Sequence, residues 1–255
     1  FPLIDRPAIA FIVEEFILSG ITEILIVTSR RKKVLEDYFD REIELEEALR
    51  ESPRASLLAP PRARFTFIRQ QAMRGTGDAL LLCEDFAAGG PLVIAYPDDL
   101  VFSEIPLTRQ LLDCRKAAAD SVLAVMRVPE DQTHRYGIVE ADETGRVSRL
   151  VEKPAPGTAR GNLAQIGRYL VTPELFPLLR EEREKNPAGE YYQINPLNTL
   201  AARGRVRALA FAGQRLDIGQ PDGYLEAILE YALTRPDLRP GLARTLGRIG
   251  DKLNG

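Results

Sequence analysis

Four short stretches of this 255-residue sequence carry the residue types that chemistry on phosphates and hydroxyls requires. In PLVIAYPDDLVF (Pro91 to Phe102) an apolar run stops at a proline and presents two adjacent carboxylates, Asp98 and Asp99. Carboxylates at a strand tip suit a hard divalent cation, and Mg2+, which takes few protein ligands and leaves positions for phosphate oxygens, is the natural occupant. A plain Pro-Asp surface turn is the competing reading. IRQQAMRGTGDALL (Ile68 to Leu81) places Gln70 at another strand end, with Gly75 and Gly77 opening a helix. Glycines there permit close backbone approach, and the Gln70 carboxamide offers the donor and acceptor that a pyrimidine edge needs. An ordinary strand-to-helix turn competes. RLVEKPA (Arg149 to Ala155) sends Glu152 and Lys153 off a strand together, one able to accept from sugar hydroxyls, the other to meet phosphate as a point charge. The alternative is an exposed ion pair of little worth. GQRLDIGQPDGYLEA (Gly213 to Ala227) puts Asp217 at a strand end, as a second metal ligand or as a turn or cap residue.

The elements that must position these residues alternate. The sequence predicts a helix over RPAIAFIVEEFILSG, a strand over EILIVTS, helices over RKKVLEDYFD and ELEEALRE, and a strand over RFTFIRQ. A helix over GDALLLCEDF, a strand over PLVIAYP, a helix over PLTRQLLDCRKAAAD and a strand over SVLAVMRV follow. Strands spaced by helices imply a mostly parallel sheet covered on both faces, with ligands at the carboxyl ends of the strands. Beyond Val128 the strands shorten: YGIVEA, RVSRLVEKP and AQIGRYLVT, the first two joined by ADETG as an antiparallel hairpin. Helix PELFPLLREEREKN, the strand VRALAFAG, a helix from Pro221 to Thr234 and a basic tail helix LARTLGRIGDKLN complete the chain. The proline-bearing stretch from Glu51 to Arg64 reads as a loop over the site or as a surface connection.

Composition narrows the function classes. The formal net charge is −3 with acids and bases interspersed, so nothing marks a nucleic-acid or membrane partner, and no 18-residue apolar stretch appears. One histidine, His134, and two cysteines, Cys83 and Cys114, supply neither a zinc site nor a Cys/His nucleophile. The cytoplasm is the default location.

The order of these stretches resembles the bacterial UTP-glucose-1-phosphate uridylyltransferases, within the nucleotidyltransferases that make sugar nucleotides. The resemblance runs nearly end to end through PLIDRPAI, SGITEILIVTS, LEDYFDREIELEEALRE, IRQQAMRGTGDA, YPDD, RYGIVE, LVEKP, NLAQIGRYL and LDIGQPDGYLEA. It implies a single Rossmann-like α/β fold of the nucleotide-diphospho-sugar transferase kind: a mixed, mostly parallel central sheet with helices on both faces and a small antiparallel sugar-binding extension. The transferase domain would span 1–235, with a nucleotide half over about 1–128 and a sugar half over about 129–235, followed by the tail helix at 236–255. The resemblance implies that Gln70 and the Gly75 backbone read uracil and that Asp98 holds Mg2+, helped by Asp217. Gly137 and Glu152 would hold glucose, Lys153 its phosphate and the Ile166 backbone the far edge of the sugar. Asp98 and Lys153 would then be the catalytic pair, with Asp99 as support. UTP and a sugar 1-phosphate are the implied substrates, and a homo-oligomer, dimer or tetramer, the implied state.

Departures from the family pattern are local. The family opens with a strand and a glycine-rich loop that cradles phosphates, and Phe1 corresponds to a position just after it, so that segment is expected upstream. In GEYYQINP, Asn195 and Pro196 replace Thr and Asp; in GQP, Gln220 and Pro221 replace Asn and a lysine near the sugar phosphate. Both changes touch the sugar side. Another sugar 1-phosphate, dTTP in place of UTP, or a catalytically silent binder of sugar nucleotides therefore remain alternatives to UDP-glucose synthesis.

Overall fold

The computed structural model describes residues 2–30, 32, 34–52, 61–115 and 120–254. Residues 53–60 of the expected loop and 116–119 of the helix expected to reach Asp120 lie outside the described residues. A two-residue ladder of β1 (Pro2–Leu3) and β2 (Arg6–Pro7) leads to α1 (Ala8–Leu18), β3 (Glu23–Thr28), α2 (Val34–Phe39), α3 (Ile43–Ala48) and β4 (Arg64–Arg69). Next come α4 (Thr76–Leu81), α5 (Glu84–Ala87), β5 (Leu92–Ala95), β6 (Asp99–Phe102), α6 (Leu107–Cys114) and β7 (Ser121–Arg127). A 3-10 turn at Glu130–Arg135 precedes β8 (Gly137–Ala141), β9 (Val147–Glu152) and β10 (Leu163–Val171). The chain ends with α7 (Leu175–Lys185), α8 (Ile194–Ala202), β11 (Val206–Ala210), β12 (Gln214–Asp217), α9 (Pro221–Thr234) and α10 (Arg239–Asn254).

Local chemistry explains several boundaries. Pro221 stands at the first position of α9, where its missing N–H costs nothing and its fixed φ suits the helix. The first five residues of β7 are all buried, as a strand covered on both faces requires. In α7, Leu175, Leu178, Leu179 and Glu182 recur at helical spacing and form the buried face. That face packs with Leu197 and Leu200 of α8 against Leu123, Val125, Val139 and Leu150 of the sheet. On the other side, Ile12 and Phe16 of α1, Ile24 and Ile26 of β3, and Tyr231 of α9 share a second cluster with Leu100 and Leu216. Full burial of one such side chain contributes about 1.5–3 kcal/mol.

The sheet corrects the expectation of mostly parallel strands. Its order is β11-β7-β10-β8-β9, with β5 also pairing β10. β11 lies parallel to β7, but β10 runs antiparallel to β5, β7 and β8, and β8 and β9 form the expected antiparallel hairpin. β3 and β4 make a separate parallel pair, and β6 pairs antiparallel with β12. The alternation of helix and strand carries no signal for a long strand inserted in reverse, nor for β6, whose four residues begin with the second of the two aspartates. The expected helix over GDALLLCEDF is also divided, into α4 and α5.

β10 creates the feature that positions the site. With β7 on one edge, its other edge is shared: Leu163 and Ala164 pair with β8, whereas Arg168 to Val171 pair with β5. The end of β5 and the start of β8 therefore face each other across residues 165–167. In this gap the register against β7 shifts, because Gln165 opposes Val125 while Tyr169 already opposes Leu123. Such a bulge releases backbone from the ladder and re-aims side chains. Arg168, fully buried beside it, forms an ion pair of 2.8 Å with Glu15 of α1 and so fastens the bulge to the first helix.

Candidate active site

The two neighbouring aspartates have opposite surroundings. Asp99 is buried, accepts the Gly167 N–H at 2.5 Å and is paired with Arg215 of β12. Asp98, one residue earlier, lies at the exposed rim, its carboxylate partly sheltered and meeting the Asp98 backbone N–H. Its backbone carbonyl accepts the Ile218 N–H at 2.9 Å, which brings the end of β12 alongside. A Cβ placed on Gly219 would lie 3.2 Å from Asp217 Oδ1 and 3.4 Å from Asp98 Oδ2, so the two carboxylates face one point. Burial raises the Asp98 pKa above its ordinary value, and the charges of Asp99 and Asp217 raise it further.

This arrangement fits the Mg2+ that the sequence implies. The carboxylates of Asp98 and Asp217 converge on one point, and their mutual repulsion is what a bound cation would relieve. Asp217 Oδ2 accepts from Arg215 at 3.1 Å and Oδ1 from the Gly219 N–H at 3.1 Å, yet each oxygen keeps a lone pair. Among the described residues no cluster of three or more His, Cys, Asp or Glu has metal-ligand geometry, and a phosphate-bridged magnesium needs only one or two carboxylates.

Gln70 follows β4, and its Nε2 donates to Asp78 Oδ2 at 2.9 Å and to the Gly75 carbonyl at 3.3 Å. Among the described residues its Oε1 accepts from no group. Gly75 has φ +84°, and a Cβ there would stand 2.5 Å from the Tyr191 carbonyl, so only glycine fits. The Tyr191 backbone clasps this turn, donating to Arg74 O and accepting from the Gly77 N–H, while its hydroxyl donates to Asp78. Burial pushes the Tyr191 phenol up to about 12. From the turn a chain of hydrogen bonds runs inward: Thr76 to Gln193, and Gln193 Nε2 to Tyr96 Oη at 2.9 Å. Tyr96 stands two residues before Asp98, which links the Gln70 turn to the carboxylate pair.

On the other side of the gap, Gly137 of β8 is paired with Glu152 of β9. A Cβ on Gly137 would collide with the amide nitrogen of Gln165 and stand 2.9 Å from Glu152 Oε2. The Lys153 N–H bonds the Tyr136 carbonyl at 3.1 Å, and Arg215 lies 5.8 Å from the Tyr136 ring centre, so this corner adjoins the aspartates. Lys153 adopts φ +41°, a region that costs a non-glycine residue of order 1–3 kcal/mol and that ends β9 abruptly at Glu152. The Ile166 side chain is buried with Leu107, Leu111 and Val122, leaving only its backbone, in the bulge, to face the gap.

Gly137, Glu152 and Ile166 thus lie at the fork in the sheet, with Asp98 and Asp217 adjoining it and Gln70 linked to it through Thr76, Gln193 and Tyr96. Sequence reasoning missed Arg215, Asp78, Tyr191, Gln193 and Gln165. Arg215 was open to discovery, being two residues before Asp217 on a strand and so on the same face, and Asp78 lies eight residues from Gln70 in the same stretch; Tyr191, Gln193 and Gln165 act through contacts distant in sequence. Of the departures, Asn195 turns away to donate to Glu182 of α7 at 2.7 Å, and Pro221 starts α9.

The nucleotidyl transferase family matches residues 1–233. The chain belongs to that family. It is 39% identical, over 99% of its length and 88% of the relative's, to a UTP–glucose-1-phosphate uridylyltransferase of Streptococcus pneumoniae. Among solved structures, it resembles a UDP-glucose pyrophosphorylase complexed with UDP-glucose (TM-score 0.78, 33% identity, 92% of this chain and 90% of that one). It also resembles a UTP-bound enzyme of this kind from Acinetobacter baumannii (TM-score 0.85, 27% identity, 96% and 88%).

Proposed function

We propose that the chain makes UDP-glucose and pyrophosphate from UTP and glucose 1-phosphate in the fork between β5 and β8. The observation that carries this reading is the near end-to-end similarity to uridylyltransferases, joined to a fork with a carboxylate pair on one side and a hydroxyl acceptor on the other. Gln70 Oε1 accepts from uracil N3–H, and the Gly75 N–H, which donates to no protein group among the described residues, meets a uracil carbonyl. Glu152 accepts from glucose hydroxyls, the Gly137 backbone leaves room for the ring, and Lys153 meets the sugar's phosphate.

An oxygen of the sugar phosphate, already anionic at neutral pH, attacks the α-phosphorus of UTP. The bond from that phosphorus to the bridging oxygen breaks, and pyrophosphate leaves on the opposite side. No general base is needed. Asp98 and Asp217 would hold a Mg2+ ion, which when bound offsets phosphate charge and stabilises the leaving group. Lys153 positions the nucleophile against the repulsion of two polyanions, and Arg215 keeps Asp217 in place.

In this reading residues 1–128 serve the nucleotide and 129–235 the sugar, with 236–255 a separate tail helix. The same reading makes the protein a cytoplasmic homo-oligomer that acts on UTP and a sugar 1-phosphate. Among the described residues no helix is long and apolar enough to cross a membrane. Pyrophosphate release from a panel of nucleoside triphosphates and sugar 1-phosphates tests the assignment. UTP with glucose 1-phosphate is expected to be the preferred pair, and a clear preference for dTTP or another sugar would replace it. UDP-glucose binding without turnover would favour the silent binder instead.

A further inference from the structure

We propose that Gln165 is a sugar-contacting residue that sets the requirement for glucose hydroxyls, a role that rests on Glu152 and Gly137 holding the sugar. The sheet order places β9, β8 and β10 side by side. Gly137 pairs with Glu152 on one side, and the register Ala164 to Ile138 puts Gln165 beside Gly137 on the other. Residues opposite one another on adjacent strands project from the same face. The three therefore form a row with a glycine in the middle: a notch one side chain wide, with a carboxylate for one wall and a carboxamide for the other.

The amide lies over the glycine floor, since a Cβ on Gly137 would collide with Gln165 Nε2. Among the described residues it has no hydrogen-bond partner. Gln165 Oε1 is buried without a hydrogen bond, and among the described residues Nε2 donates to nothing. Buried polar groups are nearly always paired, and an unpaired one calls for a reason. A scaffold would be better served by an apolar residue at this half-buried point of β10. The orphaned amide gains its partner when a sugar enters. Glu152, ionised, can only accept hydrogen bonds, whereas Gln165 can donate. A hydroxyl donating to Glu152 and a neighbouring hydroxyl oxygen accepting from Gln165 would together fill the notch. The pair thereby selects sugars that carry both hydroxyls.

The test compares wild type with Gln165→Leu and Gln165→Met by calorimetric titration with UDP and with UDP-glucose. Thermal unfolding of each variant is followed alongside, and is expected at or above the wild-type midpoint because an unpaired amide has been removed. Both variants should bind UDP as wild type does and UDP-glucose about tenfold more weakly, the worth of one good hydrogen bond. Monodeoxy glucose 1-phosphates then locate the contact in turnover. For one position, removing the hydroxyl should raise KM in wild type by a similar factor and cost the variants nothing further. Unchanged UDP-glucose affinity in both variants, equal weakening of UDP, or deoxy penalties identical in wild type and variants would each overturn the role of Gln165. Wild type that binds UDP but gains nothing from the glucose moiety would instead overturn the sugar-site reading, and this proposal with it.

Discussion

The two sides of the fork are built differently. On the nucleotide side, polar groups are already engaged with one another: Gln70 with Asp78, Asp78 with Tyr191, Thr76 with Gln193, and Gln193 with Tyr96. On the sugar side, the side chains of Glu152 and Gln165 stand across a glycine with no hydrogen bond to any described protein group, and Lys153 is held in a strained backbone conformation. A pocket of the first kind is preorganised, so its ligand costs little ordering. A pocket of the second kind waits for the ligand to complete its hydrogen bonds. Substitutions should therefore disturb the fold on the engaged side and substrate affinity on the open one.

Asp98 and Asp99 give the sharpest form of this contrast, since they adjoin in sequence. Asp98→Asn should lower pyrophosphate release about a hundred- to a thousandfold, a loss comparable to removing a preorganised electrostatic group, without lowering the unfolding midpoint. Activity within a few-fold of wild type would remove Asp98 from the metal site. Asp99→Ala should do the reverse first: it strips Arg215 and the Gly167 N–H of a buried partner and should cost about 3 kcal/mol in urea unfolding. A stable Asp99→Ala protein would mean that the bulge in β10 does not depend on this carboxylate.

A third variant separates the two substrates. Glu152→Gln keeps the shape of the wall but removes its charge, and should raise KM for glucose 1-phosphate about tenfold with little change for UTP, because hydrogen bonds to a charged group are worth about 1.5–3 kcal/mol. Equal changes in both KM values would dissolve the division between the sides of the fork.

What the sequence made legible follows the same division. Strand tips announce themselves through an apolar run that stops, so Gln70, Asp98, Glu152 and Asp217 were all visible, and α9 was placed from Pro221 to Thr234 on its proline and its periodicity. The insertion of β10 in reverse was not, because direction is decided by pairing between strands far apart in sequence, as between Arg127 and Leu163, and not by local propensity. Gln165 was hidden for a related reason. An amide in AQIGRYLV reads as the polar position of an alternating strand, and only the register against Gly137 shows that it faces a notch.

The smallest expected effect concerns acid, and its sign distinguishes Asp98 from the surface aspartates. Asp5 and Asp237 have pKa values lowered by hydrogen bonds to Arg235, so they stabilise the fold above the ordinary Asp value and lose that contribution as the pH falls. Asp98 is raised, by burial first and then by Asp99 and Asp217, so the folded protein holds its proton more tightly than the unfolded chain. Its contribution to stability must decline as the pH rises from about 4 through the raised value. Asp98→Asn abolishes that decline, and the urea midpoint of the variant should gain on wild type over this window and stay ahead at neutral pH. Parallel midpoints from pH 3.5 to 7 would show that Asp98 is not strained by its neighbours. The sign inverts when Mg2+ and UTP are present, because cation binding requires the carboxylate: their stabilisation of wild type should weaken as the pH falls through the same window, and Asp98→Asn should lack that dependence.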